Sequence, residues 1–188
     1  MNKPVLFIHG AGEGAFAEDR LLVASLQHAL GCAYQVHYPH MPEADSATYA
    51  DWTAPIARAV ATLDDDVIVV GHSVGGSVLI KYLAEEQRDK PISALFLLAT
   101  PYWGADAFWT WDEVRLRDDG AATLARIPRI FMYHSRDDVI VPFAHLALYA
   151  ATLPHATIRA LDGRGHQFGN DLAEVAADIM REETMSGR

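Results

Sequence analysis

Cysteine is nearly absent: Cys32 is the one thiol in 188 residues. That excludes an internal disulfide framework, and because no glycine-framed turn presents it, Cys32 is expected to be a small buried hydrophobe rather than a nucleophile. Basic charge is also scarce, with 15 Lys and Arg against 25 Asp and Glu and a formal net charge of -10. This balance argues against a nucleic-acid or anionic-membrane surface and favours small neutral or cationic partners. No run approaches the ~20 apolar residues needed to cross a bilayer. The apolar stretch in "MNKPVLFIHG" stops after about four residues, short of a secretory core. The expected location is therefore cytoplasmic. Repeats, low-complexity tracts and Pro/Gly/Ser linkers are missing too, so residues 1–188 read as one domain of ordinary soluble composition, 51% hydrophobic and 21% charged.

What is present is an alternation of short β-branched runs with helical patterns, the signature of repeated strand-helix-strand units. Six strands are expected, at about Val5–Ile8, Ala33–His37, Val67–Val70, Ala94–Ala99, Arg129–His134 and Thr157–Leu161. Each is mostly apolar, as strands of a parallel sheet covered on both faces should be. The fold class is thus α/β, three layers with a mostly parallel sheet. Helices are expected over Asp19–Leu30, ending at Gly31, and over Ser46–Leu63, where Pro55 should kink or split the helix. Others are expected over Gly75–Glu86, Phe143–Thr152 and Asn170–Glu183. Residues 101–126 form the one long interruption, rich in aromatics.

The stretch "VVGHSVGGSV" puts Ser73 in a tight turn between an apolar strand and a helix, with Gly71 and Gly75 two places away on either side. Small neighbours let strand and helix pass closely, and the turn matches the G-x-S-x-G nucleophile elbow. Ser73 also opens a helix, where unpaired N–H groups favour developing negative charge, so the N–H of Val74 is a candidate oxyanion donor and His72 a candidate contact to substrate.

A serine hydroxyl needs a base and a group to orient that base. In an open parallel sheet, reactive groups gather in loops beyond the carboxyl ends of the strands. Among nine histidines, His28 and His145 fall in helices and His155 precedes the last strand, whereas His166 follows that strand in "DGRGHQF". The acid should come from "HSRDDVIVP", where chemistry alone does not choose between Asp137 and Asp138.

Competing motifs are weaker. "GAGEGA" after the first strand fits a loose dinucleotide fingerprint, but His37 and Tyr38 stand where an acid is wanted. "GHSVGGS" lacks the lysine of a phosphate-binding loop. His37 and His40 have no HExxH or Cys/His cluster to make a metal site. No cofactor and no metal are called for.

These segments together resemble the α/β-hydrolase superfamily, in the chain order Ser73, Asp138, His166. The resemblance implies Asp138 as the acid, four residues before Pro142, and the N–H of Ala11 in "HGAGEG" as the second oxyanion donor, with Gly10 and Gly12 allowing close approach. More narrowly, "HGAGEG", "YPHMPEAD" followed by Trp52, "GHSVGGSVLIKYL", "LLATPYWG" and "DDVIVP" look like the small cap-free serine hydrolases related to retinoblastoma-binding protein nine. "LGCAY" has Tyr34 where the LxCxE pocket-protein motif requires glutamate, so that protein partner is not carried over. Trp103, Phe108, Trp109 and Trp111 stand where relatives insert caps; Trp103 and Trp109 are candidates to wall a substrate pocket or to close the core. The expected function is hydrolysis of small carboxylic esters through a Ser-His-Asp acyl-enzyme. The alternatives are amide or peptide hydrolysis with the same triad, or a hydrolase fold kept as a protein-interaction module.

Overall fold

The computed structural model describes residues 2–44, 46–63, 66–86, 90–117 and 119–186. Asp45, within the quoted "YPHMPEAD", lies outside them. Six strands, β1 (Lys3–Ile8), β2 (Tyr34–His37), β3 (Val67–His72), β4 (Ile92–Leu98), β5 (Ile130–Ser135) and β6 (Thr157–Leu161), form a single sheet in the order β2-β1-β3-β4-β5-β6. Every pairing is parallel.

The helices are α1 (Ala15–Leu30), α2 (Tyr49–Thr62), α3 (Val74–Glu85), α4 (Gly120–Leu124), α5 (Ala144–Thr152) and α6 (Ala173–Ser186). Side chains alternate across the strands, so each strand feeds two cores. Val5 and Phe7 of β1 join Leu22 and Leu26 of α1 and Val175 and Ile179 of α6 on one face. Leu6 and Ile8 join Trp52 and Ile56 of α2, Val78 and Leu79 of α3 and Leu146 of α5 on the other. The sheet lies between these two helical layers, the three-layer α/β arrangement its apolar strands imply.

Three local expectations are corrected. The second helix begins at Tyr49, not near Ser46, because Thr48 and Asp51 close a reciprocal capping box. Pro55 does not split it: α2 runs on through Thr62 with Trp52, Ile56 and Val60 buried along one face, and that packing outweighs one missing backbone hydrogen bond. Cys32 is exposed, in a short 3-10 turn between α1 and β2.

The strand order fixes where chemistry can sit. From β1 the chain crosses to β2 on one side, then returns to place β3 on the other, so a crevice opens beyond the carboxyl ends of β1 and β3. The loop after β1 carries Gly10 and Ala11; the turn after β3 carries Ser73.

Candidate active site

Ser73 stands at the N-cap of α3 with φ 50° and ψ -127°, a left-handed conformation that costs about 1 kcal/mol or more for a residue with a side chain. Its N–H donates to the Leu98 carbonyl at 2.8 Å, anchoring the elbow to the end of β4. The surrounding packing demands glycine. A Cβ on Gly75 would lie 2.3 Å from the His9 carbonyl oxygen and 2.6 Å from that of Ile8, both backbone atoms that cannot turn aside. Gly75→Ala is therefore expected to cost about 3 kcal/mol, read as a lowered Tm in thermal unfolding. Unchanged stability would show that the elbow is not so tightly pressed on β1.

The loop after β1 lies directly against Ser73: a Cβ on Gly10 would come within 3.2 Å of Ser73 Cβ and 3.8 Å of its Oγ. His9 sets the direction of the next peptide. Its Nε2 accepts from the Met41 N–H at 2.8 Å, so Nδ1 carries the ring proton and donates to the Gly10 carbonyl at 2.6 Å. Burial pushes the His9 pKa down and keeps the ring in that neutral form. Because a trans peptide points its N–H opposite to its carbonyl, the Ala11 N–H faces away from His9. The Gly10 N–H is already spent on Asp19 Oδ2 at 2.9 Å, so it does not compete with that of Ala11.

Beyond β5, the two adjacent aspartates have different work. Asp138 is buried, and its Oδ2 accepts from His166 Nδ1 at 2.8 Å. Its Oδ1 accepts from the N–H groups of Ile140 and Val141 at 2.8 and 2.9 Å. Burial opposes its ionisation, but hydrogen bonds from His134 and His166 outweigh it and hold the carboxyl well below the usual carboxylate range. Asp137 instead accepts from Ser135 Oγ and from the N–H groups of Arg164 and Gly165, fixing the loop that carries His166. That loop turns back through Gly163 and Gly165, at φ 69° and 57°.

With Nδ1 committed to Asp138, Nε2 is the ring nitrogen of His166 that this pair leaves over. Its ring lies 4.8 Å, centroid to centroid, from that of His72, the residue before Ser73. Ser73 Oγ and His166 are not hydrogen-bonded to one another here, as is common before substrate binds.

A cavity of about 620 Å³ adjoins the site, lined by Ala11, Gly12 and Val74 together with Trp52, Trp103 and Trp111. Its size suits a small-molecule ligand. Trp103 and Trp111 are half-buried, cross at 89° with ring centroids 5.6 Å apart, and also pack on the hydrophobic core, so pocket wall and core closure are one arrangement. Three expected contacts do not line this cavity, Gly10 among them: it lies against Ser73 and its N–H is held by Asp19. Trp109 does not line the cavity, but packs edge-on against Trp103 and against His145. His72 is 1% exposed, with Nδ1 2.8 Å from Asp19 Oδ2 and Nε2 3.0 Å from the His166 carbonyl, so it is sealed beneath the site rather than open to substrate.

The family model for serine hydrolases matches residues 22–169, a span that includes Ser73, Asp138 and His166. The chain belongs to the serine hydrolase family. It is an enzyme of that kind and carries the α/β-hydrolase fold. A pyrethroid hydrolase from Sphingobium wenxiniae is 24% identical over 208 residues, covering 94% of this chain and 71% of that protein. The ydeN gene product of B. subtilis superposes with a TM-score of 0.75 at 19% identity, over 97% of this chain and 100% of the other. A methylesterase protein from Arabidopsis superposes with a TM-score of 0.68 at 14% identity, over 97% and 99% of the two chains. At these identities the structural likenesses speak to fold alone. Among the described residues, no helix is long and apolar enough to cross a membrane.

Proposed function

We propose that this serine hydrolase cleaves small carboxylic esters through Ser73, His166 and Asp138. The observation that carries the reading is the Asp138–His166 pair, joined at 2.8 Å in loops beyond β5 and β6, with Ser73 on the strained elbow beyond β3. Ser73 Oγ bonds to the ester carbonyl carbon while its proton passes to His166 Nε2. The carbonyl oxygen becomes an oxyanion that takes hydrogen bonds from the Ala11 and Val74 N–H groups. Collapse breaks the bond to the alcohol, which leaves with the proton from His166. Water then attacks the acyl-serine, gives its proton to His166, and the acid departs as the proton returns to Ser73. Asp138 stays ionised throughout and holds the imidazolium formed in each half-reaction.

The cavity lining supports a narrower substrate class. Among the described residues, the charged ones that line the cavity are Asp112 and Glu113, and no lysine or arginine does. With three tryptophans and a formal net charge of -10, it favours neutral or ammonium-bearing esters over carboxylates. A choline ester is expected to show kcat/KM about 2- to 5-fold above its uncharged 3,3-dimethylbutyl counterpart, the yield of roughly 0.5–1 kcal/mol from a cation over an indole face. The advantage should shrink with added salt and vanish in Trp103→Ala. Equal rates would remove the ammonium preference and leave the esterase; cleavage of neither compound, nor of simple p-nitrophenyl esters, would remove the esterase.

A further inference from the structure

We propose that Asp19 and His72 are positioning residues: a buried ion pair that ties the oxyanion loop, the elbow and the base loop together beneath Ser73. Neither touches substrate. The inference rests on Ser73 and His166 acting as nucleophile and base, and it assigns roles to two side chains which that chemistry does not itself use.

Asp19 lies on α1 and is 1% exposed. Its Oδ2 accepts from the Gly10 N–H at 2.9 Å and from His72 Nδ1 at 2.8 Å; its Oδ1 accepts from Gln167 Nε2 at 3.2 Å. His72 Nε2 donates to the His166 carbonyl at 3.0 Å. These bonds reach the loop after β1, the turn after β3 and the loop after β6, which carry the oxyanion donor, the nucleophile and the base.

Chemistry fixes the charge state. A carboxylate oxygen and a backbone carbonyl are both acceptors only, so each His72 nitrogen must carry a proton and the ring is an imidazolium. A neutral ring would set a lone pair against one of these oxygens. Burial disfavours charge on both partners, yet their mutual attraction outweighs it, holding Asp19 below the usual carboxylate range and His72 above the usual imidazole range. Asp138 adds to the hold on the His72 charge, and the His166 ring packs on the same imidazole.

Energetics favours a geometric use. A buried ion pair adds little stability over apolar residues of the same volume, because desolvation cancels most of the attraction. What this pair supplies instead is direction. Its hydrogen bonds end on backbone groups of two catalytic loops, and a displacement of about 1 Å there is enough to cost ~10²-fold in rate.

The test begins with the wild-type enzyme. Proton-nitrogen spectra of the histidine rings at neutral pH should show both His72 nitrogens protonated; one bare nitrogen would overturn the proposal. Next, kcat is measured per fluorophosphonate-titrated serine, so that unfolded protein does not count. Asp19→Asn, nearly isosteric, should lower kcat about 10²-fold with KM little changed, and Asp19→Asn/His72→Gln should lose no more than the worse single variant. Full kcat per titrated serine, with only a lower Tm, would reduce the pair to a structural prop and overturn the proposal. Should these variants fail to fold, Gln167→Ala removes one outer contact; its kcat should fall about threefold at unchanged Tm, and an unchanged kcat would overturn the proposal. Wild-type protein that takes no fluorophosphonate would instead defeat the assignment of Ser73, which the ring spectra do not test.

Discussion

Ser73→Ala is expected to lower kcat by roughly 10⁴- to 10⁶-fold while leaving the fold intact. The loss is large because only the hydroxyl group is removed, and it is the proposed attacking group. The Ala11 and Val74 N–H groups and the tryptophan-lined cavity remain, so KM should change little and a residual rate above that in water should persist. Stability should hold because Ser73 is anchored through its backbone N–H to Leu98, not through Oγ. The strain at φ 50° gives a second reading of the same site. Ser73→Gly should be equally inactive yet more stable than Ser73→Ala, by about 1 kcal/mol in chemical denaturation, since glycine adopts this conformation freely. Near-normal turnover by either purified variant would contradict the assignment of Ser73.

Asp138→Asn is expected to cost about 10⁴-fold in kcat, and the hydrogen bonds around the carboxyl say why. The Ile140 and Val141 N–H groups both donate to Oδ1, so the amide oxygen of asparagine is drawn to that position. Its NH₂ then faces His166 Nδ1, which must accept, and the ring proton moves to Nε2. The imidazole is left in the tautomer that cannot take a proton from Ser73. Asp138→Asn should also flatten the acid limb of the stability curve. The depressed carboxyl contributes stability that is present above the ordinary aspartate pKa of about 4 and is lost as pH falls through its lower folded value. Asp137→Asn, by contrast, keeps an oxygen for the Arg164 and Gly165 N–H groups and should cost only a few-fold. Comparable losses at the two positions would contradict the separate roles given to these neighbours.

The elements that position these residues were legible because their signals are local. β-branched runs marked all six strands, a glycine-flanked turn marked Ser73, and the loop after the last strand singled out His166. The choice of Asp138 over Asp137 comes from the resemblance, through its place four residues before Pro142, and not from chemistry, since both lie in one loop. The folded chain adds the physical difference, one carboxylate buried against His166 and the other bracing its loop. Asp19 was invisible for a related reason. In sequence it is an ordinary acid near the start of a helix, and its partners His72 and Gln167 are 53 and 148 positions away. The structure turns the His72 ring beneath the elbow, away from any substrate, which its place beside Ser73 in the sequence does not tell. Trp103 and Trp109 fall in a stretch with neither helical nor strand periodicity, so nothing in the pattern could say which of the two meets the cavity.

The most direct measurement is labelling of the folded wild-type protein with a fluorophosphonate, followed by peptide mapping of the adduct. The account predicts one adduct per chain, on Ser73, formed fast in the wild type and far more slowly in His166→Ala. An adduct on any other residue, or labelling of Ser73 that is indifferent to loss of the imidazole, would contradict it.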